Sequence, residues 1–120
     1  VKIDQAILGY QAKRKELERA WNNPSLLGDI LLKLATYLSY IGDELGLLKE
    51  EYEVSRANKY YFHLNAGKSP SNAENLARSD NAGLKGMVAK IELTHKNGWS
   101  LVSIGQSRLR GLESEAKNQH

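Results

Sequence analysis

The stretch from Leu27 to Tyr52 reads LGDILLKLATYLSYIGDELGLLKEEY. Within it Leu27, Leu31, Leu34, Leu38, Ile41, Leu45, Leu48 and Tyr52 follow one another at alternating steps of four and three, without a break. On a helix that repeat puts all of these side chains on one seam, the pattern by which helices wrap against each other. The register continues, weakened, through Ser55 and Lys59 to Phe62. Ile30 and Tyr37 widen the seam, as expected of a helix with more than one neighbour. The pattern predicts one helix over 25–65, on the order of 60 Å long at ~1.5 Å per residue. Its seam is the candidate core and self-association surface.

Working outward, Asn22-Asn23-Pro24-Ser25 is a turn cluster on the N-terminal side. Proline disfavours helical geometry at Asn23 and suits the first turn of the helix that follows. Before it, Ile3, Ile7, Tyr10, Leu17 and Trp21 recur at helical spacing, and Lys13-Arg14-Lys15-Glu16 fills the polar face, which predicts a first helix over 3–22. On the other side Asn65-Ala66-Gly67 closes the long helix, with Gly67 suited to a left-handed terminal residue. A short helix over 70–78 starts either at Ser69-Pro70 or at a Ser71/Glu74 capping box. Asp80 is placed to cap a last helix over 80–116. That helix has its own seam of Leu84, Val88, Ile91, His95, Gly98, Val102, Gly105, Leu109 and Leu112. Asn97-Gly98 reads as a kink or a break in it, and the polar tail from Glu113 is expected to fray.

The sum is an all-α chain, one helical domain over residues 1–120. Its architecture is a long antiparallel, coiled-coil-like helical hairpin, with a short N-terminal helix at the base and a short helix at the tip. Gly28, Gly42 and Gly46 inside the long helix each cost about 1 kcal/mol relative to alanine. They are either tolerated or serve a close approach or bend. The return seam carries His95, Gly98 and Gly105 where apolar residues would match the strong seam. That mismatch predicts a seam not satisfied within one chain, and hence a homo-oligomer.

Composition narrows the functional classes. The 120 residues contain no cysteine, which excludes disulfides and thiolate metal sites and suits a reducing cytoplasm. No apolar run approaches the roughly 18 to 20 residues of a membrane span, and Val1-Lys2-Ile3-Asp4-Gln5 lacks the apolar stretch of a signal peptide. A cytoplasmic protein with no membrane contact is expected. Seventeen basic and 14 acidic residues, net +3, are well mixed, which permits nucleic-acid contact without demanding it.

Three motifs touch on catalysis or cofactors. Ala66-Gly67-Lys68-Ser69 ends like a phosphate-binding loop, but Phe62 stands where the first glycine belongs and no strand precedes it. Glu92-Leu93-Thr94-His95 is a single Glu-x-x-His; a di-iron bundle site needs two, so a second chain would have to supply the other. Asp43-Glu44 and Glu50-Glu51-Tyr52-Glu53 raise the helical, metal-dependent nucleotide hydrolases. No Glu-x-x-Asp follows to complete that set, and the acids read as a solvated face with Lys49 and Arg56. No catalytic residue, metal ligand or cofactor is expected.

Near the tip Arg56, Lys59, Tyr60, Tyr61, His63 and Lys68, with Phe62 among them, interleave cations and aromatic rings. Rings of that kind stack on bases while the cations track phosphates. Lys85, Lys90 and Lys96 on the returning helix extend the surface, with Arg108 and Arg110 further off. The plainer reading packs Phe62 and one tyrosine into the tip. The six residues are the candidate contact surface, for a protein partner first and for single-stranded nucleic acid as the alternative.

Gly67-Lys68-Ser69, Ala73-Glu74, Leu76-Ala77-Arg78, Gln106-Ser107-Arg108-Leu109-Arg110 and Leu112-Glu113-Ser114-Glu115 carry a resemblance. Over about half the chain the sequence resembles small helical accessory proteins encoded by bacteriophages and prophages. In those a long helix reaches a small-residue tip, and the returning helix ends in an Arg-rich and Glu-rich segment. The resemblance implies a phage accessory protein of a replication, recombination or host-takeover module, working in the host cytoplasm. It transfers no functional residue.

Overall fold

A computed structural model describes residues 2–118 as four helices: α1 (Lys2–Ala20), α2 (Pro24–Asn65), α3 (Pro70–Asp80) and α4 (Ala82–Asn118). The chain is all-α, with two long antiparallel helices, a short helix before them and another between them. No strand occurs among the described residues.

Local chemistry sets the helix ends. α1 stops two residues short of the expected Asn22. The Trp21 N–H turns back to the Glu18 carbonyl at 3.4 Å, and the Asn23 N–H to that of Ala20 at 2.9 Å. Asn23 then caps α2, its Oδ1 accepting from the Leu26 N–H at 3.1 Å with Pro24 in the first helical position. α2 ends in a Schellman motif: Gly67 has φ 93°, its N–H reaches the Leu64 carbonyl at 3.0 Å, and the Lys68 N–H reaches His63 at 3.1 Å. Ser69, not Ser71, caps α3, accepting from the Asn72 N–H at 3.3 Å.

Two expectations at the far end change. Asp80 lies inside α3, which runs two residues beyond Arg78, and Asn81 forms the junction with α4. The Asn81 N–H donates back to Arg78 at 3.2 Å while its carbonyl accepts from the Lys85 N–H at 3.0 Å. α4 is helical without interruption through Asn97-Gly98, so the helix does not break there. It also extends through the tail to Asn118; Gln119 and His120 lie outside the described residues.

The chain forms two compact units, 1–43 with 94–120 and 44–93. α2 and α4 each contribute to both.

In the first unit Tyr10, Leu17 and Ala20 of α1, Leu27, Ile30, Leu31, Leu34, Leu38 and Ile41 of α2, and Val102 and Leu112 of α4 are buried. Leu27, Leu34, Leu38 and Ile41 are 0% exposed, so the strong seam is closed within the chain in this unit. This overturns the mismatch argument. A β-carbon on Gly98 would overlap Leu38 Cδ2 and stand 3.1 Å from the Tyr10 hydroxyl; one on Gly105 would overlap Leu31 Cδ2. In reverse, Gly42 makes room for His95, whose Nε2 would be 2.7 Å from a β-carbon there. Close packing depends on the volume summed across an interface, so a glycine opposite a leucine fills it as well as two medium side chains. Arg108 ties α4 to the α1–α2 turn, donating from Nε to the Trp21 carbonyl at 3.1 Å and from Nη2 to Asn22 Oδ1 at 2.6 Å.

In the second unit Leu45 of α2, Ala73 and Ala77 of α3, and Ile91 of α4 are buried, and the two alanines let α3 approach closely. Leu48 and Tyr52 are half-buried. Ser55 keeps the register, half-buried beside Asn81, and beyond it the register fails. Lys59 and Phe62, its expected members, are exposed, while Arg56, Tyr60 and His63 are half-buried. A straight α-helix drifts about 20° per heptad against a seven-residue repeat, so five heptads from Leu27 accumulate about 100°. That is one residue's rotation, and the inward face has moved by one position.

Candidate interaction surface

The second unit holds all six residues expected at the tip, and the structure divides them into an inward and an outward set. Inward, the hydroxyl of Ser55 donates to Asn81 Oδ1 at 2.6 Å, and Asn81 Nδ2 donates to the Ala77 carbonyl at 2.9 Å. Asn81 is a buried polar residue with both side-chain atoms satisfied, so it fixes where α3 hands over to α4. Arg56 sits one turn away, Nη1 on Glu74 at 2.6 Å and Nη2 on Glu53 at 3.0 Å. Hydrogen bonding to Glu53, then its charge and that of Glu74, raises the guanidinium pKa above its ordinary value. Arg78 Nε reaches the same Glu74 oxygen at 3.2 Å. Two cations and two carboxylates thus balance, and Arg56 is committed to holding α3 on α2. His63 Nε2 lies 2.7 Å from Asp80 Oδ2, at the last turn of α3.

Outward, Lys59 and Lys68 are exposed, and Tyr61 and Phe62 are each 62% exposed. Lys59 Nζ lies 5.5 Å from the centre of the Phe62 ring, within cation–π range. Tyr60, half-buried, meets Tyr61 edge-on at 5.4 Å, and Phe62 meets His63 edge-on at 5.2 Å. The expectation that Phe62 packs into the tip fails; Tyr60 and His63 occupy the inward positions instead. Tyr52, Glu53, Arg56, Arg78 and Lys85 line an open groove of about 500 Å³ beside the ion pairs.

A further set escaped the sequence reading. Leu47, Val54 and Tyr61 stand on the exposed side of α2 at seven-residue spacing, 59%, 54% and 62% exposed. They lie roughly opposite Leu45 and Tyr52, because positions two apart on a helix differ by about 200°. The signal was present as a repeat in the polar phase, masked by the stronger seam.

The motif with metal-ligand spacing has other partners. Glu92 pairs with Lys49 at 3.2 Å in the second unit. In the first, His95 Nε2 accepts from the Trp99 indole N–H at 3.0 Å, which places the imidazole proton of the neutral ring on Nδ1. No three His, Asp or Glu side chains converge as metal ligands would among the described residues. Of the two distant arginines, Arg108 is held at the α1–α2 turn, and Arg110 Nη2 donates to Ser107 Oγ at 3.2 Å. No helix among the described residues is long and apolar enough to cross a membrane. Comparison with protein-family models, curated proteins and solved structures finds no match for this chain.

Proposed function

We propose that this chain is a non-enzymatic helical interaction protein, an accessory factor of the bacteriophage kind that its sequence resembles. In this reading it binds a protein partner in the host cytoplasm through the outward face of α2. The observation that carries the reading is the exposed stripe Leu47, Val54 and Tyr61. Three large apolar side chains one heptad apart are the anchors that a helical partner requires. Left open, they are an association liability on an otherwise polar face.

The test is capture from host extract on the immobilised full chain, wild type against Val54→Glu. Proteins retained by the wild type are expected to be lost on the variant, with the melting curve unchanged because Val54 is outside the core. Equal retention by both, or no retention by the wild type, overturns the reading.

One observation favours a second reading, single-stranded nucleic-acid binding: Lys59 over the exposed Phe62 ring, beside the exposed Tyr61. Two open aromatic faces with a cation suit base stacking. Arg56, engaged by two carboxylates, contributes little to it. Oligonucleotide binding that falls steeply with salt and weakens on Lys59→Glu supports this reading; no binding at low salt removes it.

A further inference from the structure

His95 stands on the inward seam of α4, and the binding face proposed above makes no use of it. Its ring lies over the gap that Gly42 leaves in α2. A β-carbon on Gly42 would be 2.7, 3.3 and 3.5 Å from Nε2, Cε1 and Cδ2, so three ring atoms fill the space a side chain there would take. One turn further along α4 the Trp99 indole N–H meets the same Nε2 at 3.0 Å, with the two rings edge-on at 88° and 6.2 Å apart. All three residues belong to the first unit.

The indole nitrogen is only a donor. A neutral imidazole offers one acceptor, and an imidazolium offers none. The bond therefore exists only while Nε2 carries no proton, and a proton placed there sets N–H against N–H. The indole presents its edge, the positive part of its quadrupole, so no cation–π attraction replaces the lost bond. No counter-charge is in contact either, since His95 is in no ion pair among the described residues. On α4, Glu92 before it is held by Lys49 in the second unit, and Lys96 beside it is exposed. On α2, Asp43 is exposed and Glu44 half-buried next to Gly42. From α1 the Tyr10 hydroxyl is turned toward Gly98, one turn away.

The two partners are unequally held. His95 is half-buried over Gly42, whereas Trp99 is 38% exposed, so the indole is the group that gives way. We infer that His95 and Trp99 form a proton-gated latch: the neutral imidazole holds the indole along α4, and the imidazolium releases it to solvent. The seam histidine is then a sensor, and Gly42 is what admits it. Acidification changes the surface of α4 by one large aromatic side chain while the leucine core of the unit stays closed.

The test uses the full chain carrying Trp21→Phe, which leaves Trp99 as its single tryptophan. Between about pH 8 and 5, where an imidazole changes charge, the Trp99 indole N–H resonance is expected to move from a hydrogen-bonded to a solvent-exposed shift. Its midpoint should coincide with that of the His95 ring resonances, and acrylamide quenching of Trp99 emission should rise in step. Far-ultraviolet circular dichroism should stay constant through the transition. His95→Gln, whose amide oxygen accepts at a similar reach and does not titrate, should keep the indole bond and abolish the transition. An indole resonance that ignores the His95 titration overturns the inference, as does a transition that persists in His95→Gln or one that takes the helicity with it. So do ring-nitrogen shifts that place the proton of the neutral His95 on Nε2, a result that needs no variant at His95.

Discussion

Gly98→Ala places an ordinary helix-stabilising substitution where the fold has no room for it. In a helix interior alanine is favoured over glycine by about 1 kcal/mol. Against this, a β-carbon on Gly98 overlaps Leu38 Cδ2, with Leu38 Cδ1 and the Tyr10 hydroxyl each 3.1 Å away. Leu38 and Tyr10 are 0% and 3% exposed, so neither can swing into solvent. Forcing one more carbon into a close-packed core costs about 1–3 kcal/mol. The net effect is expected to run from neutral to about 2 kcal/mol destabilising. Gly111→Ala, on the same helix in the same unit with no atom within 4 Å of its β-carbon, should stabilise by up to ~1 kcal/mol. The two identical substitutions then differ by about 1–3 kcal/mol, or roughly 4–12 °C at this chain length. Thermal and urea unfolding followed by far-ultraviolet circular dichroism reads that difference directly. Leu38→Val should recover part of the loss in the Gly98→Ala background, a coupling between neighbours that distant sites do not show. Equal stabilisation by the two alanines would refute the close approach of Leu38 to α4.

Three further outcomes are expected. Asn81→Ala strands the Ser55 hydroxyl and the Ala77 carbonyl, and should destabilise by about 1–3 kcal/mol in urea unfolding. Ser55→Ala in the same background should then add little. Arg108→Ala removes both hydrogen bonds to the α1–α2 turn and should lose about 1–2 kcal/mol. Lysine cannot reproduce the two-pronged geometry, so Arg108→Lys should rescue little of it. The Glu16 carboxyl is held below its ordinary range, chiefly by a hydrogen bond from Lys13. Its contribution is therefore complete above the unfolded-state value and is lost as pH falls through the lowered folded value. Carbon-detected titration should show Glu16 returning toward the ordinary value in Lys13→Met.

The helices were legible because their signals are local. Pro24, Gly67 and Pro70 act within a few residues of where they stand, and the seam from Leu27 to Leu45 repeats often enough to exclude a strand. What failed to show depends on pairs distant in sequence. Gly98 and Gly105 read as defects in α4 until Leu38 and Leu31 are set against them. Arg56 reads as part of a solvated face and an open contact surface until Glu74, 18 residues on, takes it. Phe62 reads as a seam residue only if a strict heptad runs past the length at which a 3.6-residue helix keeps to it. Asn81 gave no local sign of its buried role, since an asparagine after an aspartate looks like any solvated junction.

Packing in the first unit also bears on how folding and binding are related. Were the leucine seam shared between chains, folding and assembly would be one event, and every seam substitution would disturb both. With Leu31, Leu34 and Leu38 closed against α4 and α1, a folded single chain needs no partner to bury them. Leu38→Ala should then cost about 2–5 kcal/mol at any protein concentration, as a buried leucine does. Val54→Ser, on an exposed face, should change stability by no more than about 0.5 kcal/mol. Any self-association through that face would add stability by mass action, and its loss would grow with protein concentration. A melting temperature that rises with concentration in the wild type but not in Val54→Ser assigns assembly to the outward stripe. The same dependence abolished by Leu38→Ala, and untouched by Val54→Ser, would return it to the seam.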